Sequence, residues 1–453
     1  MRYYSTRNKK AGVTFAEAAL TGLAPDGGLF VPESIPPYSR AVQTSLGNMS
    51  FRDIAFETVK NFAEQEIPDA ALGDIVEAAY PFAAPLVPVG DRLVLELFHG
   101  PTAAFKDFGA RFMARAFAYL RRGETRPLHI LVATSGDTGG AVADGFYGVE
   151  GISVTVLYPK GRVTPLQERQ IAGLGGNISA LAVEGSFDDC QRLVKGAFGN
   201  AELKKRLALS SANSINITRL IPQAVYYAAA AGKAFAGKSD APEEASPVSS
   251  AFALSDSAKP AAKQPVTFSV PSGNFGNLVA GLYALEMGAP IRDFIAATNR
   301  NKTIPDYLAT GYYEARFSET TISNAMDVGA PSNVERLIAQ WSLAETRRMV
   351  RGVSVSDEDT RATIAAVHTA AGYFLDPHTA VGWRGADTLH VTHNHAGGAL
   401  AVLGTAHPAK FAEIVEPLAG PAPVPRSLAK TKERTPRAAV IPAELSALMD
   451  VLH

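Results

Sequence analysis

Hydrophobic and polar positions follow a helical period in the first part of the chain. The segment FRDIAFETVKNFAEQ carries apolar residues at helical spacing, which predicts an amphipathic helix. This apolar stripe consists of Phe51, Ile54, Ala55, Val59 and Phe62. A loop rich in Gly and Pro, APDGGLFVPESIPP, precedes the helix and breaks the pattern. We therefore predict a mainly helical N-terminal domain over residues 1–95.

From Leu93 onward, short apolar runs alternate with longer amphipathic segments. The runs predicted as strands are LVLELFHG, LHILVAT, ISVTVLYP, ISALAV, VTFSVP, RDFIAATN and the late run at 399–404. The segments between them have the length and period of helices, as in AFKDFGARFMARAFAYL. Strands separated by helices predict an α/β fold whose parallel or mixed sheets are covered by helices on both faces.

One stretch interrupts this alternation. Residues 236–264 are rich in Ser, Ala, Pro and charged residues and show neither a helical nor a strand period. Such a composition cannot bury enough apolar surface to order itself. We predict a flexible surface insertion there.

The charge and cysteine content exclude several classes of function. The chain has 453 residues, a net charge of −1 and 47% hydrophobic residues, so no overall field attracts nucleic acid or an acidic membrane. No apolar run has the length of a membrane span, and the N-terminus lacks the apolar core of a secretory signal. A single cysteine, Cys190, forbids an intramolecular disulfide and fits a reducing compartment. A cytoplasmic protein without nucleic-acid or membrane partners is expected.

Lys106 lies in the segment LFHGPTAAFKDFGARF, at a predicted junction between a strand and a helix. Its neighbours Phe105 and Phe108 make the setting apolar. Apolar burial penalises the charged ammonium and lowers the pKa of the amine, so such a lysine can form a Schiff base with an aldehyde. The alternative is a surface lysine whose stem packs at the start of a helix.

Two glycine-rich loops each connect a predicted strand to a predicted helix. The first contains Ser135, Gly136, Asp137 and Thr138, and the second runs from Ser272 to Asn277. Glycines allow close backbone approach, and the free amides at a helix start suit a carboxylate or a phosphate. A tight turn with an N-cap remains the alternative for each loop.

The segment NSINITRL places polar residues in an apolar neighbourhood. Asn213, Ser214, Asn216 and Arg219 can supply amide, hydroxyl and guanidinium donors to a phosphate. Helix capping with a surface arginine is the alternative.

Three further patterns favour ordinary structural roles. Gly232–Ser239 fits G-x-x-x-x-G-K-S, but a nucleotide loop must follow a strand and open a helix, whereas the preceding AVYYAAAA predicts a helix. His390, His393 and His395 lack the spacing of usual metal ligands, so loop histidines and no metal site are expected. Cys190 is expected to be a packed, unreactive thiol.

One lysine and two anion-binding junctions in a single α/β array are what a pyridoxal-phosphate enzyme of the tryptophan-synthase-β class needs. The chain resembles the threonine synthases, in their longer form with an N-terminal extension. The matching segments span most of the chain: TFAEAALTGLAPDGGLFVP, LELFHGPTAAFKDFGARFMA, ATSGDTGGAVADGFYG, LYPKGRVTPLQE, LGGNI, SANSINITRL, VPSGNFGNL, FIAATN, SNAMDVGAPSN and GTAHPAK. The 236–264 stretch and HVTHNHAGG depart from the family pattern.

The resemblance implies pyridoxal-phosphate fold type II, with a large and a small domain. It implies an N-terminal extension over 1–95, a catalytic region of two α/β subdomains over 96–410 and a C-terminal helical segment over 411–453. It also implies conversion of O-phospho-L-homoserine and water into threonine by a monomer or homodimer. A threonine or serine dehydratase of the same fold remains the alternative enzyme, and a P-loop protein the alternative from another class.

The resemblance also implies roles for individual residues. Lys106 would hold the cofactor as a Schiff base, and Thr405 would face the pyridine nitrogen, where a neutral hydroxyl leaves that nitrogen less protonated. The cofactor phosphate would rest on a cup formed by Gly273, Asn274, Phe275, Gly276 and Asn277.

Substrate binding is implied for the remaining candidates. The loop of Ser135, Gly136, Asp137 and Thr138 would bind the substrate carboxylate. The substrate phosphate would lie against Ser214, Asn216 and Arg219, with Lys160 and Arg162 as neighbours. Many relatives of this fold carry Asn at the position of Asp137, so this carboxyl group is expected to be protonated or otherwise partnered.

Overall fold

The structure is a computed structural model that describes residues 1–240, 263–389 and 398–452. The strands are β1 (Tyr3–Ser5), β2 (Phe30–Pro32), β3 (Leu86–Val89), β4 (Arg92–Glu96), β5 (Leu128–Ala133), β6 (Ile152–Pro159), β7 (Ile178–Glu184), β8 (Ala208–Ser211), β9 (Val266–Pro271), β10 (Ile291–Thr298), β11 (Val350–Ser354), β12 (Leu400–Gly404) and β13 (Ala439–Pro442).

The helices cover the sheets and form most of the N-terminal part. They are α1 (Phe15–Thr21), α2 (Arg40–Ser45), α3 (Phe51–Ala63), α4 (Asp69–Ala79), α5 (Lys106–Leu120), α6 (Asp137–Phe146), α7 (Pro165–Ala172), α8 (Phe187–Gly199), α9 (Ala201–Arg206), α10 (Ile217–Leu220), α11 (Ala224–Phe235), α12 (Gly276–Glu286), α13 (Thr303–Thr310), α14 (Val334–Gln340), α15 (Leu343–Met349), α16 (Asp357–Ala371), α17 (Pro377–Thr388), α18 (Ala412–Ala419), α19 (Arg426–Lys432) and α20 (Leu445–Val451).

Two sheets organise the chain. The larger has six strands in the order β11-β10-β9-β12-β4-β3, and all its pairs are parallel except the hairpin of β3 with β4. The smaller has five parallel strands in the order β13-β7-β6-β5-β8. All six residues of the central strand β9 are buried, as expected for a strand with helices on both faces of its sheet.

The N-terminal part packs on helices α11 and α5 through α3 and α4. The stripe predicted from the sequence is buried on α3, with Ile54, Val59 and Phe62 at most 1% exposed. Tyr80 follows α4, and its ring lies 5.9 Å from that of Phe108 on α5. Each such large apolar side chain contributes about 1.5–3 kcal/mol by its burial, so these contacts fix the start of α5.

The C-terminal segment was expected to be helical, and it holds a strand as well. Residues 411–452 contain α18, α19 and α20, but β13 pairs in parallel with β7 at the edge of the smaller sheet. Only Ile441 of this strand is buried, so the alternation that identifies a half-buried strand is missing from its sequence. The pairing of β13 with β7 determines its position, and its own sequence pattern does not predict it.

The P-loop-like segment has the context expected from the sequence. Gly232 and Lys233 lie inside α11, and Lys238 follows its end and donates to the Asn48 Oδ1 at 2.6 Å. A helix and not a strand leads directly into this segment, so it lacks the context of a nucleotide-binding loop. Residues 241–262 of the predicted insertion lie outside the described residues. Across 1–240, 263–389 and 398–452, no helix combines the length and apolar character that a membrane crossing needs.

The loops that leave the carboxyl ends of the strands meet in one place. Strands β4, β9 and β12 of the larger sheet and β5 and β8 of the smaller sheet are each followed by a loop that contributes to one cavity. Ligand sites of open α/β sheets lie at such carboxyl ends.

Candidate active site

The cavity between the two sheets is open to solvent and encloses about 530 Å³ of space, including the solvent at its mouth. It is lined by Phe105, Lys106, Asp137, Thr138, Ser214, Arg219, Gln223, Pro271, Ser272, Gly273, Asn274, Phe275, Gly276, Asn277, Ala325, Met326, His378 and Thr405. The reactive lysine predicted from the sequence, both glycine-rich loops and part of the NSINITRL segment therefore meet at one site. Ser135, Gly136 and Asn216 are not among the lining residues.

Lys106 begins α5 and faces this cavity. Its Nζ lies 4.4 Å from the centroid of the Phe105 ring. Burial lowers the pKa of the Lys106 amine to about 8; Asp137 acts in the opposite direction, and Arg219 and Lys410 add to the lowering. A useful fraction of this amine is neutral near pH 8 and can act as a nucleophile or a base.

The second glycine-rich loop lines the same cavity as the lysine. Phe275 has a φ of 59°, a left-handed conformation that is uncommon outside glycine, and its amide donates to the Ser272 Oγ at 3.1 Å. A Cβ at Gly273 would lie 2.7 Å from the Met326 Cα, so only glycine fits there. Helix α12 begins at Gly276, and the amides of its first turn have no partner inside the helix. The loop can therefore bind an anion through its backbone.

Hydrogen bonds fix this loop to the NSINITRL segment. The Ser214 Oγ accepts from the Asn274 Nδ2 at 3.0 Å and from the Asn333 Nδ2 at 3.1 Å. Both lone pairs of the hydroxyl are thereby used, so its O–H is left to donate to a ligand in the cavity. The side chain of Asn274 also accepts from the Ser332 amide at 2.5 Å, which leaves its backbone to face the cavity.

Arg336 supports this arrangement and was not found by the sequence analysis. Its guanidinium is fully buried and donates to the Ser214 carbonyl at 3.0 Å and to the Asn333 Oδ1 at 2.6 Å. It reaches these groups from α14, far along the chain from either loop. No local pattern marks it, because only the folded chain brings it to this site.

Arg219 is 1% exposed and lines the cavity. Its Nη1 donates to the Ala212 carbonyl, and its Nε has no hydrogen-bond partner among the described residues. Burial lowers its pKa to about 10, while Asp107 acts to raise it, so the group stays charged near neutral pH. A buried cation with an unused donor is suited to an anionic ligand.

Asn216 caps a helix, which is the role that the sequence analysis gave as the alternative to phosphate binding. Its Oδ1 accepts from the Thr218 amide at 3.0 Å, and its Nδ2 donates to the Ala19 carbonyl at 2.8 Å. Both ends of the side chain are occupied at the start of α10, away from the cavity. The structure thus does not bring this residue to a ligand.

Lys160 and Arg162 also lie apart from the cavity lining. The Lys160 Nζ pairs with the Glu184 Oε1 at 3.1 Å, and its side chain is 52% exposed. It belongs to the surface of the smaller sheet.

The first glycine-rich loop brings Asp137 and Thr138 to the cavity at the start of α6. Gly136 has a φ of 141°, and a Cβ on it would lie 2.5 Å from the Gln167 side chain. The Asp137 Oδ1 accepts from the Gln167 Nε2 at 2.9 Å and forms an ion pair with the Lys410 Nζ at 2.7 Å. Burial would raise the pKa of Asp137, but Lys410 and His378 outweigh it and lower the value to about 2. Asp137 is therefore ionised and partnered.

Thr405 follows β12 and is joined to the lysine loop through the backbone. Its amide donates to the Thr379 Oγ1 at 3.2 Å, and its carbonyl accepts from the Phe105 amide at 2.9 Å. The side chain lines the cavity next to Lys106.

His378 lines the cavity and was not found by the sequence analysis. Its Nε2 accepts from the Ala325 amide at 3.2 Å, and its Nδ1 lies 2.8 Å from the Asp376 Oδ1. Through these two contacts the ring holds the loop of Ala325 and Met326 against the cavity. The motif DPHT gave a local signal, since Asp376 also caps α17.

These residues fit a phosphate-bearing aldehyde. Lys106 supplies an amine of lowered pKa, the Gly273 loop supplies a cradle that a Cβ would fill, and the Arg219 Nε supplies an unused buried donor. The histidines at 390, 393 and 395 lie outside the described residues. Within 1–240, 263–389 and 398–452 there is no cluster of His, Cys, Asp or Glu able to hold a metal. Burial raises the pKa of the Cys190 thiol to about 12, so this cysteine is unreactive.

Comparison with known proteins gives matches along the whole chain. Family models described as threonine synthase N terminus, pyridoxal-phosphate dependent enzyme, and threonine synthase C-terminal match residues 2–80, 91–404 and 379–452. Threonine synthase from Serratia marcescens is 41% identical over 460 residues, covering 100% of this chain and 99% of the relative. The relative from Escherichia coli is 40% identical, with the same coverage.

Solved structures agree with this result. The crystal structure of threonine synthase from Escherichia coli matches with a TM-score of 0.87 and 38% identity, covering 100% of this chain and 99% of that one. A threonine synthase from Brucella melitensis with bound pyridoxal phosphate matches with a TM-score of 0.85 and 35% identity, covering 100% and 98%.

Proposed function

Because the chain belongs to the threonine synthase family, we propose that it converts O-phospho-L-homoserine and water into L-threonine and phosphate, with Lys106 as the reacting amine. The predicted family and α/β fold are confirmed, and the chain is a pyridoxal-phosphate-dependent lyase. One observation carries the proposed site. A lysine of lowered pKa and a glycine-rich helix start line the same cavity.

Three elements would hold the cofactor. Lys106 would bond to its aldehyde carbon, the backbone of 273–277 would bind its phosphate, and the Thr405 hydroxyl would face its ring nitrogen. When bound, pyridoxal phosphate supplies an electron-withdrawing ring that stabilises negative charge on the substrate carbon next to the amine. Thr405 is uncharged, so it can orient the ring nitrogen without adding a proton to it.

Lys106 has two tasks in the proposed reaction. It would release the cofactor when the substrate amine takes its place, and its neutral amine would then remove the proton from Cα. Loss of a proton from Cβ, loss of phosphate from Cγ and addition of a proton at Cγ would follow. Addition of the water oxygen at Cβ and return of a proton from Lys106 to Cα would complete the balance, which is one threonine and one phosphate for each substrate and water consumed.

Two parts of the cavity would hold the anionic ends of the substrate. The helix start at Asp137 and Thr138 would bind the carboxylate through backbone amides and the Thr138 hydroxyl. The free O–H of Ser214 and the guanidinium of Arg219, which lines the cavity, would bind the phosphate and stabilise its charge as it leaves. Gln223, which lines the cavity next to Arg219, is a further candidate neighbour.

Product analysis tests this function. The purified enzyme should release phosphate and threonine in equal amounts from O-phospho-L-homoserine. A dehydratase of the same fold would instead make a 2-oxo acid and ammonia from threonine or serine. The latter products, without threonine formation, would contradict the proposed function.

The location and assembly are also part of the proposal. A buried, unreactive Cys190 and relatives named for an amino-acid synthesis support a cytoplasmic enzyme. A monomer or homodimer stays a prediction.

A further inference from the structure

Lys410 forms a buried ion pair that joins the two sheets beside the reactive lysine. It lies in the turn Pro408–Phe411 after β12 and is 2% exposed. Its Nζ pairs with the Asp137 Oδ1 at 2.7 Å and donates to the Thr102 carbonyl at 2.9 Å. Asp137 follows β5 of the smaller sheet, so this pair connects loops from different sheets.

Stability of the fold does not by itself explain a buried ion pair. Removing two charges from water costs several kcal/mol per ion, and neutral side chains of similar volume often serve as well in a core. Here one charge of the pair faces the cavity, since Asp137 is among its lining residues and Lys410 is not. The pair therefore acts on whatever group occupies the cavity next to Asp137.

That group is the Lys106 amine. The charged groups that act on it come from three other elements: Asp137 on α6, Arg219 on α10, and Lys410 in the turn after β12. His378 of α17 lines the same cavity. On its own helix, burial raises the pKa of Asp107 to about 7, and that carboxyl is held by Thr102.

Without an ion-pair partner, the Asp137 carboxylate would work against the proposed chemistry of Lys106. A buried carboxylate next to an amine stabilises the ammonium form, which is neither a nucleophile nor a base. Lys410 and Gln167 already satisfy Asp137, so the carboxylate has partners other than Lys106.

We propose that Lys410 is a positioning residue for the reaction: it occupies Asp137 as an ion-pair partner and so prevents this carboxylate from holding Lys106 in its charged form. This inference rests on the proposed function, in which Lys106 must be neutral to react. The pair presents a nearly neutral neighbour to the lysine, whereas either residue alone would present a full charge.

Single and double substitutions separate this role from a merely structural one. Lys410→Met should raise the pH at which Lys106 titrates, because the carboxylate then turns to the lysine. Asp137→Asn should lower it, because Lys410 and Arg219 then act unopposed. Each change should be on the order of one pH unit, as for an opposite or a like charge at close range. The double variant Asp137→Asn with Lys410→Met should titrate close to the unmodified enzyme.

The experiment follows the Lys106 amine itself in the full-length enzyme after removal of its cofactor. Competitive acetylation by acetic anhydride is measured from pH 6 to pH 11, and mass spectrometry quantifies the peptide that contains Lys106. Lys410→Arg keeps the charge and is the matched control, expected to titrate like the unmodified enzyme. Circular dichroism checks that each variant is folded.

Shifts of the two single variants in opposite directions, with recovery in the double variant, support the proposal. Shifts in the same direction, or none, overturn it. Where a single variant does not fold, the double variant is tested instead. Its Lys106 should titrate within about one pH unit of the unmodified enzyme, and a larger shift would contradict the proposal. Borohydride mapping of the cofactor lysine is a separate measurement, so a failure of the proposed function is told apart from a failure of this inference.

Discussion

The backbone amide of Phe105 donates a hydrogen bond to the carbonyl of Thr405 at 2.9 Å. This bond ties the loop before α5 to the end of β12, so the Lys106 amine and the Thr405 hydroxyl are held on the same cavity by backbone and not by their own side chains. Side-chain changes at Thr405 should therefore alter its chemistry without moving the lysine.

Thr405→Ala tests the hydroxyl that faces the ring nitrogen. We expect kcat to fall about 10- to 100-fold, the effect of one lost hydrogen bond to a reacting group. Pyridoxal phosphate should still bind, because Lys106 and the 273–277 loop are unchanged. Thr405→Ser is the matched control and should retain most activity; a loss of cofactor binding in Thr405→Ala would contradict the assigned role.

Arg219→Gln tests the phosphate site. The KM for O-phospho-L-homoserine should rise about 10- to 100-fold, the value of a hydrogen bond to a charged group, while the affinity for pyridoxal phosphate changes much less. Steady-state kinetics and cofactor titration measure the two effects. A fall in cofactor affinity larger than the change in KM would place Arg219 at the cofactor phosphate instead.

Asn216→Ala separates capping from binding. The side chain caps α10, so its loss should reduce the free energy of unfolding by about 1 kcal/mol. The KM of the folded variant should stay within about twofold, because Asn216 does not line the cavity. Chemical denaturation and kinetics on the same preparation check both values.

Gly273→Ala tests the cradle. The added Cβ would lie 2.7 Å from the Met326 Cα, so the loop or its neighbour must move. We expect weaker binding of pyridoxal phosphate, by about tenfold or more, measured by absorbance titration. Gly73→Ala is the control, since a Cβ there meets nothing within 4 Å and cofactor binding should not change.

The rate of cofactor uptake should depend on pH in a defined direction. Burial lowers the pKa of Lys106 to about 8, so the ammonium form dominates below that pH and the neutral amine above it. Only the neutral amine attacks an aldehyde, and the rate should therefore rise with pH and level off above pH 8. Stopped-flow absorbance of the cofactor-free enzyme with pyridoxal phosphate measures this profile; a rate that falls with pH would contradict it.

The sequence predicted the parts of the site that lie within single loops. Lys106 and the Gly273 loop each follow a strand, and the carboxyl ends of parallel strands meet at one edge, so local pattern indicated both, whereas Thr405 was named only from the family resemblance. Lys410 and Arg336 were missed because their partners are distant in sequence and nothing near them signals a buried charge. Strand β13 was missed because a single buried residue produces no alternation.

Reduction of the purified enzyme with borohydride tests the central claim most directly. Reduction fixes the cofactor to the amine that holds it, and mass spectrometry of the peptides then identifies that residue. We predict a pyridoxyl group on Lys106 and the loss of its visible absorbance in Lys106→Ala. A labelled lysine elsewhere in the chain, or an enzyme that takes up no cofactor, would contradict the account.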